Sequence, residues 1–167
     1  MNNNKTTRGK KPTQKAYMAA FIDGEGCISL YKGNIYAKHQ RTELSLYISN
    51  THKETIDRLQ EVWGGRRKIR HQDHPKWKTN YILKWASNKA TDVLKEVLPY
   101  MITKKKQAEL AINFQKNRKF GKNRYAPITK DELKFACDSA NEMKRLNADS
   151  RFHPQRLSGK TPEKVKR

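Results

Sequence analysis

Two acids separated by one glycine stand where a run of small and apolar residues ends. Tyr17 to Gly26 reads Tyr-Met-Ala-Ala-Phe-Ile-Asp-Gly-Glu-Gly. A hard cation, usually magnesium, is held by few carboxylates together with substrate phosphates. Such an ion supports phosphodiester hydrolysis. Glu25 suits a metal role, with the Gly24 carbonyl as a further oxygen ligand; the alternative is a capping or solvated acid. Asp23 is more ambiguous, because it could cap or tie down neighbouring backbone instead. Lys104 opens a run of three lysines at a helix start, where positive charge opposes the macrodipole. That fits an anion contact or a solvated charge run. Asn50 ends an alternating strand and is either turn chemistry or a group that orients a water. The 5 histidines show no metal spacing. No Ser/His/Asp set and no phosphate-binding glycine loop is present.

These residues need elements to position them. A helix from Thr13 to about Gly24 carries the small residues Ala16, Ala20 and Gly24 at i, i+4 spacing, with Ala19 beside them. Such a face admits a closely packed backbone, and the glycines end the helix. Residues 27–32 and 41–50 alternate and read as half-buried antiparallel strands. Thr51 to Glu54 is a capping-box pattern ahead of Ile56, Leu59, Val62 and Trp63 at helical spacing. Gly64 and Gly65 stop that helix. Residues 66–72 and 78–86 are two further strands, the second with Tyr81, Leu83 and Trp85 inward. Ala90, Val93, Leu94, Val97 and Leu98 mark an amphipathic helix ended by Pro99. Another helix runs from Thr103 to about Arg118. Thr129 and Glu132 form a second capping box, before a helix with Leu133, Ala136, Cys137, Ala140 and Met143 on one face. Strand pairs separated by helices argue for an α+β domain with an antiparallel sheet. The helices must cover one sheet face.

The other face is polar and basic. Ser29, Tyr31, Lys32, Arg41, Ser45, Tyr47, Arg66, Lys68, Arg70, Gln72, Asn80, Ile82 and Lys84 are its candidate DNA contacts. A sheet ribbon fits the major groove, and these side chains supply donors and acceptors for base edges. Composition agrees: 37 Lys+Arg against 16 Asp+Glu give the 167-residue chain a net charge of +21. That excess argues against a neutral metabolic enzyme and for a polyanionic partner, nucleic acid before an anionic membrane. No apolar run reaches transmembrane length. Cys27 and Cys137 match no zinc spacing and are not expected to pair, which suits a reducing intracellular compartment. The chain divides into a flexible basic arm (1–12), one domain (13–147) and a basic tail expected to be disordered (148–167).

Met18-Ala-Ala-Phe-Ile-Asp-Gly-Glu-Gly26 resembles the motif of the LAGLIDADG homing endonucleases. Leu44-Ser-Leu-Tyr-Ile-Ser-Asn50 looks like their second strand, which ends in an active-site amide. Leu98-Pro-Tyr-Met-Ile-Thr-Lys-Lys-Lys-Gln-Ala108 looks like their Pro-to-Gln-Ala segment. The resemblance spans roughly residues 13–118 and implies an αββαββα fold with a saddle-shaped four-stranded antiparallel sheet, followed here by a C-terminal helix. It implies Glu25 as metal-binding acid, Gly24 as the carbonyl joining it, and Asn50 near the hydrolytic water. Lys104 would stabilise charge or polarise water, and Asp23 would be structural. Ala20 stands where glycine is frequent, and no basic active-site residue is evident between His52 and Leu59.

One motif per chain implies a homodimer, with Ala16, Ala19, Ala20 and Gly24 packed against a second copy. The expected activity is a site-specific, staggered double-strand break at a long, near-palindromic DNA site, as in intron homing. Mg2+ is the expected cofactor, with Ca2+ or Mn2+ able to occupy the site. The competing reading is a non-cleaving nucleic-acid-binding protein, such as an RNA maturase or a DNA-binding regulator. Organelle, bacterium and phage are all open as sources.

Overall fold

The computed structural model describes residues 9–32, 42–71, 77–118 and 129–149. Arg41 and Gln72, and most of the two terminal tails, lie outside the described residues. The order is α1 (Pro12–Glu25), β1 (Gly26–Lys32), β2 (Thr42–Asn50), α2 (Lys53–Trp63), β3 (Arg66–Arg70), β4 (Asn80–Ala86), α3 (Ser87–Val97), a short 3-10 turn (Leu98–Tyr100), α4 (Lys105–Asn117) and α5 (Lys130–Asp149). This is the α+β order expected from the periodicities.

The strands form one antiparallel sheet in the order β1-β2-β4-β3. Its inner face gives Ile28, Leu30, Leu44, Leu46, Ile48, Leu83 and Trp85 to the core. The helices return Met18, Ile22, Ile56, Leu59, Leu94, Val97, Phe114 and Met143 to the same core. The Trp85 indole donates to the Trp63 carbonyl at 3.0 Å, closing the end of α2 onto β4. Gly65 beside it has φ +102°, and an added Cβ would stand 2.8 Å from the Trp85 ring. Both the backbone and the indole therefore demand glycine there.

Local details depart from the expected boundaries. The first helix begins at Pro12, not Thr13. Proline is pre-shaped for a first helical position, and the Gln14 side chain accepts the Lys11 N–H at 2.9 Å. The end of the expected arm is held on the domain. Lys10 Nζ lies 2.8 Å from Glu96 and 4.6 Å from the Trp63 ring centroid. Thr51 and Glu54 form no capping box; His52 is the N-cap of α2. The box at Thr129 and Glu132 does form, with bonds of 2.9 and 3.2 Å. Leu133 is exposed although its spacing placed it inward, because α5 buries Ser139 and Met143 farther along. Gln107, itself buried, donates to the Leu146 carbonyl at 3.1 Å and ties α4 to α5.

Arg67 points away from the open sheet face. Its guanidinium pairs with Asp57 and lies 5.5 Å from the Tyr81 ring centroid. The Lys53 hydrogen bond, with the charge of Arg67 behind it, holds the Asp57 carboxyl below its usual range. Cys27 and Cys137 are free thiols. Among the described residues no helix is long and apolar enough to cross a membrane.

Candidate active site

α1 delivers the acid pair to one end of the sheet. Gly24 lies inside this helix, and Gly26 is its C-cap. Gly26 has φ −86°, so it does not end the helix through a left-handed turn. A Cβ there would meet the Ile22 carbonyl oxygen at 2.6 Å. The requirement is close passage of the chain, not an unusual dihedral.

The two acids part company immediately. Asp23 Oδ2 accepts the N–H groups of Ile102 at 2.7 Å and Thr103 at 3.2 Å. Its Oδ1 accepts the Lys104 N–H at 2.9 Å. The carboxylate therefore caps the start of α4 from another helix, meeting N–H groups that α4 cannot satisfy itself. Glu25 is exposed and makes no hydrogen bond or ion pair among the described residues. Its two oxygens face solvent at the same helix end.

Lys104 bends back onto α1. Its ammonium donates to the carbonyls of Ile22 at 3.1 Å and Asp23 at 2.5 Å. A cation at the carbonyl end of a helix is favourable. That contact, with the Asp23 carboxylate, offsets the unfavourable placing of lysine at the start of α4. The charge is thus fixed beside the turn that carries Gly24 and Glu25. Asn50 lies at the same end of the sheet, two residues past Ile48, the register partner of Gly26. Its Oδ1 accepts the His52 N–H at 2.8 Å, which is turn chemistry. Its Nδ2 makes no hydrogen bond among the described residues and remains a donor.

Asp23→Ala should lower stability by about 2 kcal/mol, because charge-assisted bonds to backbone are lost and N–H groups are orphaned. Urea melts measure this; an unchanged midpoint would show that the bonds contribute nothing net.

No group of three His, Cys, Asp or Glu side chains converges among the described residues. One chain offers the free Glu25 carboxylate and the orphan carbonyl of Gly24 in the last helical turn. A magnesium ion takes oxygen ligands at near-octahedral geometry, so these fit a site completed by something else.

The open sheet face follows the register. Tyr47 lies between Cys27 and Lys84, and Lys84 lies opposite Arg66. The next row is Ser49, Ile82 and Lys68, and beyond it Asn80 pairs with Arg70. Arg66, Lys68 and Arg70 are exposed. Ser29, Ser45 and Ala86 form a row in the other direction, followed by Tyr31 and Glu43. Ser45 is on this face but only 3% exposed. Tyr31 and Lys84 converge above its row, with the ammonium 5.0 Å from the ring centroid. A short serine beneath them is closed to a ligand. Lys32, expected among the contacts, ends β1 opposite Thr42, so its register position has the parity of Leu30 and Leu44 and not that of Tyr31 and Glu43. Cys27, Glu43 and Ser49 share the face and were not among the expected contacts, although strand alternation places them there.

The small-residue face also divides. Ala16, Ala20 and Gly24 are exposed, whereas Ala19 is fully buried in its own core. Ala19 therefore leaves the expected interface: at one residue from Ala20 it turns about 100° around the helix. Tyr17, 55% exposed, borders a groove of about 610 Å³ between α1 and α2. Gln14, His52, Arg58 and Val62 also line it.

No protein-family model matches the chain, and no curated protein does. Solved structures do match, and they are LAGLIDADG homing endonucleases. Homing endonuclease I-CvuI, solved with a DNA target in the presence of 2 mM Mg, superposes with a TM-score of 0.60 at 20% identity. The match covers 80% of this chain and 82% of that one. The same enzyme with its own target and 2 mM Ca gives the same figures. Archaeal intron-encoded homing endonuclease I-Vdi141I, complexed with DNA, matches at a TM-score of 0.60 and 18% identity, over 82% of this chain and 86% of that one.

Proposed function

The chain has the LAGLIDADG homing-endonuclease fold, and on it we propose a homodimeric, site-specific DNA endonuclease. The observation that carries this reading is Glu25: an exposed carboxylate, unpaired among the described residues, at the end of the helix whose Ile22 and Asp23 carbonyls anchor the ammonium of Lys104. A free acid and a cation fixed to the same helical turn, at one end of a basic sheet, suit phosphodiester chemistry. Nothing in the packing of the described residues needs that acid.

The half-site found in one chain is completed by a second copy. Ala16, Ala20 and Gly24 allow two α1 helices to approach closely, which brings two Glu25 carboxylates to a twofold axis. Glu25 and the Gly24 carbonyl of each copy would hold Mg2+; Ca2+ or Mn2+ could take the same oxygens. When bound, the ion polarises the phosphate and lowers the pKa of a coordinated water. Lys104 holds positive charge where the phosphate gathers negative charge. Asn50 lies at the same end of the sheet, and its Nδ2, unpaired among the described residues, would position a water or phosphate oxygen. Arg66, Lys68, Arg70 and Lys84 neutralise phosphates and reach base edges along the groove. Two sites related by a dyad cut two strands, giving a staggered break in a near-palindromic target.

The test is selection of cleaved duplexes from a randomised library with magnesium, and again in chelator. The expected result is one long, near-palindromic site cut in both strands with metal alone. Tight binding to a site that is never cut would instead support the non-cleaving reading.

A further inference from the structure

We propose that Glu43 specifies one base of each half-site, a cytosine read in the major groove. The inference rests on the DNA-binding reading of the sheet and adds to it a residue and a base. Glu43 is the one acid on the open sheet face among the described residues. A carboxylate on a surface that meets phosphates is repelled by them, so its tolerance there calls for a donor partner. It stands opposite Tyr31 in the β1–β2 register. The Tyr31 hydroxyl donates to Glu43 Oε2 at 3.2 Å, and the Tyr31 ring is in turn 5.0 Å from the Lys84 ammonium. The Tyr31 bond limits the carboxylate's rotation, and Oε1 has no partner among the described residues.

A carboxylate only accepts hydrogen bonds. In the major groove, guanine offers acceptors, thymine an acceptor and a methyl group, and adenine a donor flanked by the N7 acceptor. Cytosine offers its N4 donor with no acceptor of its own beside it. A fixed Oε1 therefore favours cytosine and is repelled by the edges of guanine and thymine. The Tyr31–Glu43 pair lies five residues along β1 from Gly26, or about 16 Å at strand rise. At 3.4 Å per base pair this places the cytosine about five base pairs from the acid end of the site.

Duplexes bound by the full chain are selected from a randomised library and sequenced for three proteins: wild type, Glu43→Gln and Tyr31→Phe. Thermal melts check that each is folded. The wild type is expected to prefer cytosine at one such position in each half-site by about tenfold. Glu43→Gln should lose the cytosine preference at that position alone, with adenine admitted in its place, while binding non-specific duplex at least as tightly. Tyr31→Phe should relax the same position in part and leave the others. A Glu43→Gln profile unchanged at every position would overturn the assignment, as would affinity lost evenly across all sequences or adenine selected at that position by the wild type. A wild type that selects no duplex would bring down the DNA reading itself.

Discussion

Glu25→Gln should abolish cleavage and leave DNA binding intact. The substitution keeps the size of the side chain and removes its charge. A bound cation supplies several kcal/mol of charge stabilisation. At about 1.4 kcal/mol per decade, its loss lowers the cleavage rate by about a thousandfold or more. Binding to the same duplex in chelator should hold or tighten slightly, because a negative charge near phosphate is gone. Stability should stay within about 0.5 kcal/mol, since Glu25 is exposed and has no partner among the described residues. The measurements are single-turnover cleavage, filter binding in chelator, and a melt. A mutant that cuts at more than about a tenth of the wild-type rate would remove Glu25 from the metal site.

Ala20→Leu should convert the protein to a folded monomer that binds its target at least about a hundredfold more weakly. Ala20 is exposed on α1 in the single chain, in the row with Ala16 and Gly24. An added Cβ at Gly24 meets nothing within 4 Å in the same chain. Larger side chains on this row therefore cost the protomer little, and the damage falls on close approach of a second helix. Losing bivalent engagement removes a factor of about 10²–10⁴ in affinity. Sedimentation gives the mass, and a melt confirms the fold. A dimer that persists with unchanged affinity would show that another surface holds the copies together, and the groove between α1 and α2 would be the next place to probe.

α1 presents two different sides and a crowded end. Its inner side supplies Met18, Ala19 and Ile22 to the core, and its outer side carries the small row Ala16, Ala20 and Gly24 beside the exposed Tyr17. Its last turn serves three neighbours at once. Asp23 holds α4, Ile22 and Asp23 carbonyls hold Lys104, and Glu25 has no partner among the described residues. A rigid anchor beneath an acid that is unpaired among the described residues holds that charge at a fixed place.

The element order and the assignment of strand faces were legible in the residues. Alternation is a property of the extended backbone, so Leu44, Leu46 and Ile48 had to share one side and Tyr47 the other. Helical spacing did the same for Ile56, Leu59 and Trp63. The acid pair and the basic strand face were legible too, because residue type and parity suffice to find them. What periodicity lacks is the identity of partners across the chain. Asp23 meets backbone 79 to 81 residues away, and no local pattern announces that pairing. The burial of Ser45 depends on Tyr31 and Lys84 meeting above it, which requires β2 to sit between β1 and β4. Ala19 and Ala20 are adjacent and chemically identical, yet one is buried in the core and the other is open. Sequence spacing fixes each residue's direction about its own axis; only the packing of the other elements decides whether that direction ends in protein or in solvent.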